Sequence, residues 1–269
     1  MDYIEIWPVP ALAPYVECLW ALTGPAPDPG AEPEPVLPDG CMEIVFHLGS
    51  TFRRRATGPG DVASQHRTAV VGQIERALEL EPTGPVALVA ARLRPEGASA
   101  FLGVDAGEFS GTSAPLDAVW GQRGADIEDA VYSTGDAGAA LATLHARLRA
   151  LAGGLDAPAA PVSRAVAVAR ARDGAVNVRA IARAAGWSTR QLERRFRRDL
   201  GLSPKRFLRV LRVRKAAQLL QSGARAIDAA LACGYFDEAH LHRDFREIAG
   251  TSPGRWTNAQ RPLADQFLG

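Results

Sequence analysis

No lysine occurs in the first 161 residues of this 269-residue chain, and the whole chain holds only three cysteines. Cys18, Cys41 and Cys233 are scattered, odd in number and never spaced as Cys-x-x-Cys. That pattern speaks against a disulfide scaffold and against a cysteine zinc site. A run of about 20 apolar residues is also missing, so no segment reads as a membrane-spanning helix. The start, MDYIEIWPVP, lacks a basic region followed by an apolar run, which is not the pattern of an export signal. The expected location is the cytoplasm, with no membrane partner.

The net charge of +1 hides a division of the chain. Residues 1–161 carry 10 Arg and no Lys against 21 Asp plus Glu, a net of −11, whereas residues 162–269 carry 21 Lys plus Arg against 9 Asp plus Glu, a net of +12. The cut falls at the end of the Pro/Gly/Ala-rich stretch GGLDAPAAP. Such asymmetry is expected when one half meets a polyanion and the other does not. The length suits two domains, each able to bury a core. The expected division is 1–152 for an acidic sensor or dimerisation domain, 153–161 for a linker, 162–258 for a basic domain and 259–269 for a tail.

The fold class expected is α+β: an antiparallel β-rich N-terminal domain with closing helices, then an all-α domain of two helix-turn-helix motifs joined by a linker helix. YVECLWAL alternates apolar residues, and MEIVFHLG and PVALVAARLRP are short β-rich runs bounded by Pro and Gly. Turn signals such as PDG and PTGP separate them. From Asp126 onward Leu141, Leu144, Leu148 and Leu151 fall at helical spacing, which predicts one or two closing helices.

Beyond residue 162 the patterning is helical, and two units repeat. In NVRAIARAAGWSTRQLERRF a short helix ends at Gly186 and a second begins after Ser188 as N-cap; in RAIDAALACGYFDEAHLHRDF the same arrangement turns at Gly234 and restarts after Asp237. In the first unit Leu192, Phe196 and Leu200 form one buried stripe, which throws Arg190, Glu193, Arg194 and Arg197 onto the opposite arc with Arg198 at its edge. In the second, Leu241 and Phe245 face inward, and Ala239, His242, Arg243 and Arg246 face outward. Between the units, SPKRFLRVLRVRKAAQLLQSG reads as an amphipathic strut from Pro204, capped by Ser203, with Phe207, Leu211, Ala217 and Leu220 as core positions.

An Ala-x-x-Gly turn, a Ser-capped helix ending in Arg-x-Phe, GLSPKRFL, a linker helix ending in LL and ALACGYFDEAHLHRDFREIAGTSPGRW follow in that order. From about Val162 to Trp256 this succession resembles the C-terminal DNA-binding domain of AraC-type transcriptional regulators. Ala229 stands where that family usually has Ile, and Ala239 where it often has Ser. VLPDGCMEIVFHLG and ARLRPEGASAFLGV resemble the sensor-like region attached to some of these regulators. The resemblance implies a DNA-binding regulator that is not an enzyme and has no cofactor. Its implied partner is double-stranded DNA, read at two boxes about one helical turn apart. Further implied partners are a small-molecule effector, a second copy of the chain and, for an activator, RNA polymerase.

Arg190, Glu193, Arg194, Ala239, His242 and Arg243 are the candidates for reading bases, because an outward helical face in the major groove meets base edges and the guanidinium fork matches guanine O6 and N7. Candidates for phosphate contact are Ser188, Arg197, Arg198, Lys205, Arg206 and Arg246. For a ligand pocket the candidates are Trp7, Trp20, Cys41, Glu43, His47 and Arg92. Cys41, Glu43 and His47 share one face at period two, too far apart for direct nucleophile–base pairing. His240 and His242 at i and i+2 do not converge on a metal. Two competing readings are a DNA alkylation-repair enzyme, which needs clustered cysteines, and an architectural DNA binder without sequence preference.

Overall fold

The computed structural model describes residues 1–28, 30–56 and 62–258; the expected tail, 259–269, lies outside them. Among the described residues ten strands, all paired antiparallel, fall within the first 114 residues. Five of them, β1 (Asp2–Ile6), β2 (Val16–Gly24), β4 (Met42–His47), β7 (Thr68–Val71) and β9 (Val86–Leu93), join β10 (Ser113–Ala114) in a six-stranded sheet of order β1-β2-β9-β4-β7-β10. A smaller sheet, ordered β3-β8-β5-β6, is built from β3 (Glu34–Val36), β5 (Phe52–Ala56), β6 (Ala63–Ser64) and β8 (Leu78–Pro82).

The large sheet buries both faces. Register explains which residues go where, since cross-strand partners share a face. Cys18, Arg92 and Glu43 form one row across β2, β9 and β4; Trp20, Ala90 and Val45 form the next; Leu22, Leu88 and His47 form the third. This face packs with Phe52 and Leu80 of the small sheet. The opposite face carries Leu19, Ile44, Phe46, Val89 and Ala91, and is covered by helices. Those helices are α1 (Ala98–Leu102), α2 (Leu116–Trp120), α3 (Gln122–Tyr132) and α4 (Ala137–Ala152). Of the leucines read as helical, Leu141, Leu144 and Leu148 are buried there and Leu151 is half-buried.

Next come α5 (Ala160–Arg170), α6 (Val178–Ala185), α7 (Thr189–Leu200), α8 (Pro204–Gln221), α9 (Ala226–Ala232), α10 (Glu238–Ala249) and α11 (Pro253–Asn258). α5 starts two residues before the expected domain edge at 162, with Pro161 in its first turn, where the missing N–H costs nothing. α8 differs from the amphipathic strut expected. Besides its expected core positions, Leu208, Val210, Val213 and Ala216 are buried too, because α10 and α11 pack on it along with α7 and α9.

The two halves are in contact. Leu37 and Ala77 pack into the cluster formed by α8, α9 and α10, and Ala77 N donates to Ile248 O at 2.7 Å. A 3₁₀ turn at Ala106–Phe109 lies on the end of α7, where Ser110 Oγ donates to Gly201 O. Gly40 has φ +82°, and a Cβ there would lie 2.7 Å from the Phe207 ring. Gly111 has φ +74° but open space around it. Gly40→Ala is therefore expected to destabilise the chain by more than Gly111→Ala, whose cost is backbone strain alone, about 1–2 kcal/mol. Calorimetry should show Gly40→Ala separating the melting of the two halves; equal effects of the two substitutions would contradict tight seating of Gly40 on Phe207.

Candidate nucleic-acid interface

The first helix-turn-helix is assembled by local chemistry. Asn177 caps α6, accepting from Ala180 N at 2.9 Å. Gly186 ends it at φ +72°, a left-handed conformation that costs glycine little. Ser188 then forms a capping box with Gln191: Gln191 N donates to Ser188 Oγ at 3.2 Å and Ser188 N donates to Gln191 Oε1 at 2.9 Å. Leu192, Phe196 and Leu200 are fully buried. The opposite arc, Arg190, Arg194 and Arg197, is exposed, with Glu193 half-buried and 3.7 Å from Arg197. Arg198 is exposed and holds Asp199 at 2.6 Å.

The second unit repeats the plan. Asp237 caps α10 through His240 N at 2.7 Å, and Leu241 and Phe245 are buried. Ala239, Arg243 and Arg246 are exposed. His242 is half-buried beside Glu238 at 3.3 Å, which ties a base-reading candidate to its own helix. Trp256 is buried against Phe245 and Tyr235 is buried behind the turn. Trp187 is half-buried, with the Arg195 guanidinium above its ring.

Sequence reasoning missed what joins the units. Arg209 Nη2 donates to Asp244 Oδ1 at 2.8 Å and its Nη1 to Glu247 Oε1 at 3.0 Å; Arg206 Nη1 donates to Glu247 Oε1 at 2.7 Å; Arg212 lies 3.5 Å from Asp244. One row of α8 arginines thus holds α10. These hydrogen bonds from Arg209, helped by Arg206, bring the Glu247 carboxyl down to about 2. Arg206, a phosphate candidate, is buried in this arrangement and also meets Glu75 of the N-terminal half. Its partners come from α10 and from a loop over 130 residues away in sequence, which a helical wheel cannot show. Lys205 beside it is exposed.

Asp105, Glu108 and the outward residues Arg190, Glu193, Arg194 and Arg197 line one surface cleft. The acidic half thus flanks the most basic reading helix.

A second candidate site is a cavity of about 100 Å³ between the two sheets, lined by Trp20, Cys41, Glu43, His47 and Arg92 of the predicted set. Trp7 does not line it. It follows the edge strand β1 and is 74 % exposed, so the expectation that it helps form the pocket is corrected. The period-two reading placed Cys41, Glu43 and His47 on one face, and they do meet one cavity. It missed Asp39, whose carboxylate lies 3.3 Å from Arg92 Nε, alongside Glu43 at 3.1 Å. Burial raises the Glu43 carboxyl above its usual range despite Arg92, and pushes the Cys41 thiol well up. Burial lowers His47 to about 4. Among the described residues no cluster of His, Cys, Asp and Glu could hold a metal, and no helix is long and apolar enough to cross a membrane.

With this geometry in place, comparison with known proteins finds two family matches. One, described as a helix-turn-helix domain, covers residues 181–259; the other, a domain of unknown function (DUF6597), covers residues 4–115. The HTH-type transcriptional activator RhaR of Klebsiella pneumoniae subsp. pneumoniae is 38% identical over 80 residues, 29% of this chain and 28% of RhaR. The HTH-type transcriptional activator RhaS of Escherichia coli is 39% identical over 79 residues, with the same coverage. The chain thus spans well under a third of the length of these curated relatives. Among solved structures, the DNA-binding domain of AdpA in complex with a target DNA is 30% identical, covering 40% of this chain and 99% of that one, with a TM-score of 0.37. An AraC-type regulator structure from Chromobacterium violaceum is also 30% identical, covering 38% of this chain and 93% of that one, with a TM-score of 0.35.

Two measurements test these sites. Asp244→Ala leaves Arg209 and Arg212 without a buried partner and should cost about 3 kcal/mol, read by urea unfolding; a loss under about 0.5 kcal/mol would show the network to be as weak as a surface pair. His47 stays neutral in the fold down to about pH 4, while the unfolded chain protonates it below about 6.5. The unfolded state therefore binds more protons in this window, and stability falls as pH drops through it, by roughly 3 kcal/mol in all. His47→Phe should flatten that dependence.

Proposed function

We propose that the chain, an AraC-type DNA-binding transcriptional regulator by its helix-turn-helix match over residues 181–259, reads a specific DNA sequence with α7 and α10 under the control of its N-terminal half. The observation that carries this reading is the pair of capped helices with buried stripes and unneutralised outward arginines. Among the described residues, no carboxylate pairs with Arg190, Arg194, Arg243 or Arg246, whereas Arg206, Arg209 and Arg212 of α8 are held by Asp244 and Glu247. Exposed cations are thus present on both outward faces, Arg190 and Arg194 on α7 and Arg243 and Arg246 on α10.

The roles follow from placement. Arg190 and Arg194 in α7 and Arg243 in α10 read base edges, since exposed guanidinium groups on a groove-facing arc can bond guanine bidentately. Glu193, Ala239 and His242 border them and set tolerance at neighbouring positions. Ser188, Arg197, Arg198, Lys205 and Arg246 meet phosphates and fix register. Arg206 joins them only if Glu75 and Glu247 release it. The N-terminal half, residues 1–152, supplies control by a small molecule or by self-association, and the protein works in the cytoplasm without catalysis of its own. For an activator, RNA polymerase is a further partner.

Four outcomes are expected. Arg194→Ala should cost about 1–3 kcal/mol on the preferred duplex and relax preference in one box only, checked by a base-by-base affinity scan; a uniform loss across sequences would make Arg194 a phosphate contact. Binding should weaken linearly with log salt, with a slope of roughly −0.9 per phosphate neutralised, and an absent slope would contradict the electrostatic account. Residues 162–269 expressed alone should bind DNA, while residues 1–155 should not. Glu108→Gln should tighten binding of the whole chain modestly at low salt, because the carboxylate sits within a Debye length of the phosphates at α7.

A further inference from the structure

The cavity between the two sheets has walls of Trp20, Val45, Phe52, Leu80 and Leu88, and a floor of charged groups. Charge decides what it can hold. Arg92 is the one cation lining it among the described residues, and its Nε already donates to Glu43 at 3.1 Å with Asp39 3.3 Å away. An entering carboxylate or phosphate would meet no spare cation and two carboxylates, and a buried unpaired anion is strongly disfavoured. His47 supplies no charge near neutrality.

His47 is only 2 % exposed and its ring has a side-chain hydrogen bond with Gln65, which also lines the cavity, but its Nδ1 has no hydrogen-bond partner among the described residues. Buried polar atoms are ordinarily satisfied, so this nitrogen marks where a polar atom of a ligand fits. The size, about 100 Å³, is of the order of an apolar cavity that admits benzene, about 150 Å³.

The wall of the cavity is also the seat of the DNA-binding half. Leu37, Asp39 and Cys41 line the cavity. From the same short segment, Leu37 packs with the α8–α10 cluster and Gly40 lies under the Phe207 ring. Cys41 Sγ accepts from Arg170 Nη2 of α5 at 3.4 Å, and Arg170 in turn grips Glu17 at 2.7 Å. Gln73 Nε2 donates to Gly40 O at 2.6 Å and so pins the turn.

We propose that this cavity binds a compact, uncharged, mainly apolar molecule with one hydrogen-bonding group, of the size and polarity of phenol, which meets His47 Nδ1 and whose occupancy is passed to the DNA-binding half through Leu37–Cys41. The second clause rests on the regulator reading; the first does not. A ligand shifts an equilibrium only through unequal affinity for its states, and a segment that both lines the cavity and seats α8 provides that inequality.

Phenol, toluene and benzoate titrated into the full chain, followed by calorimetry and by tryptophan fluorescence, test the site. Phenol should bind, and benzoate, of matching shape but anionic, should bind at least about tenfold more weakly. His47→Leu should weaken phenol several-fold and leave toluene unchanged. Equal or tighter binding of benzoate, or no binding of phenol, overturns the site, and neither result depends on the variant folding. Saturating phenol should change affinity for a duplex selected from a random pool by about fivefold or more. If the duplex binds without responding to phenol, the transmission is wrong and the regulator reading stands. If no duplex binds at all, the regulator reading is wrong, while the phenol and benzoate titrations still decide the cavity.

Discussion

The arginine row of α8 and the two acids of α10 are the constraint on which the rest depends. Arg206, Arg209 and Arg212 recur every three residues along one face of the strut, and Asp244 and Glu247 recur at the same spacing on α10. Matching the two rows fixes both the rotation and the register of α10 on α8. Apolar packing alone would tolerate sliding by a side chain, whereas a buried pair of charges left unmatched is costly. The network also consumes cations that would otherwise be sticky for any polyanion. The arginines exposed on α7 and on the outer face of α10 are positioned by a helix of 18 residues, about 27 Å long, buried nearly all round.

The same strut is where the acidic half takes hold. Phe207 receives Gly40, Arg206 receives Glu75, and the far end of the α8 cluster receives Leu37 and Ala77. The large sheet therefore stands one turn of chain away from the helix that orients both reading elements. The acids Asp105 and Glu108 beside α7 place negative charge against the face proposed to meet DNA. In the proposed reading, the position of the N-terminal half bears on DNA affinity through two routes, packing on α8 and charge beside α7.

Local chemistry was the legible part. Ser188, Ser203 and Asp237 could be placed as caps because a cap bonds within three residues of itself, and the stripes of α7 and α10 because helical periodicity is also local. Period two put Cys41, Glu43 and His47 on one face for the same reason. Interactions between distant segments were not legible. Arg206 reads as a solvated cation on a helical wheel, yet its partners sit on α10 and in the loop at Glu75. Trp7 reads as a pocket aromatic, yet β1 is an edge strand and the residue beyond its end points to solvent. Arg170 and Glu17 lie 153 residues apart, with nothing in either neighbourhood to announce the pair.

The central claim is that α7 and α10 read DNA as one rigid unit. Its most direct test is affinity for a selected two-box duplex against the same duplex with about 5 bp inserted between the boxes, which turns one box to the far side of the helix. The account predicts that the insertion reduces affinity to that of a single box, and that Arg243→Ala then has no further effect. Full affinity for the inserted duplex, with Arg243→Ala still harmful, would contradict it.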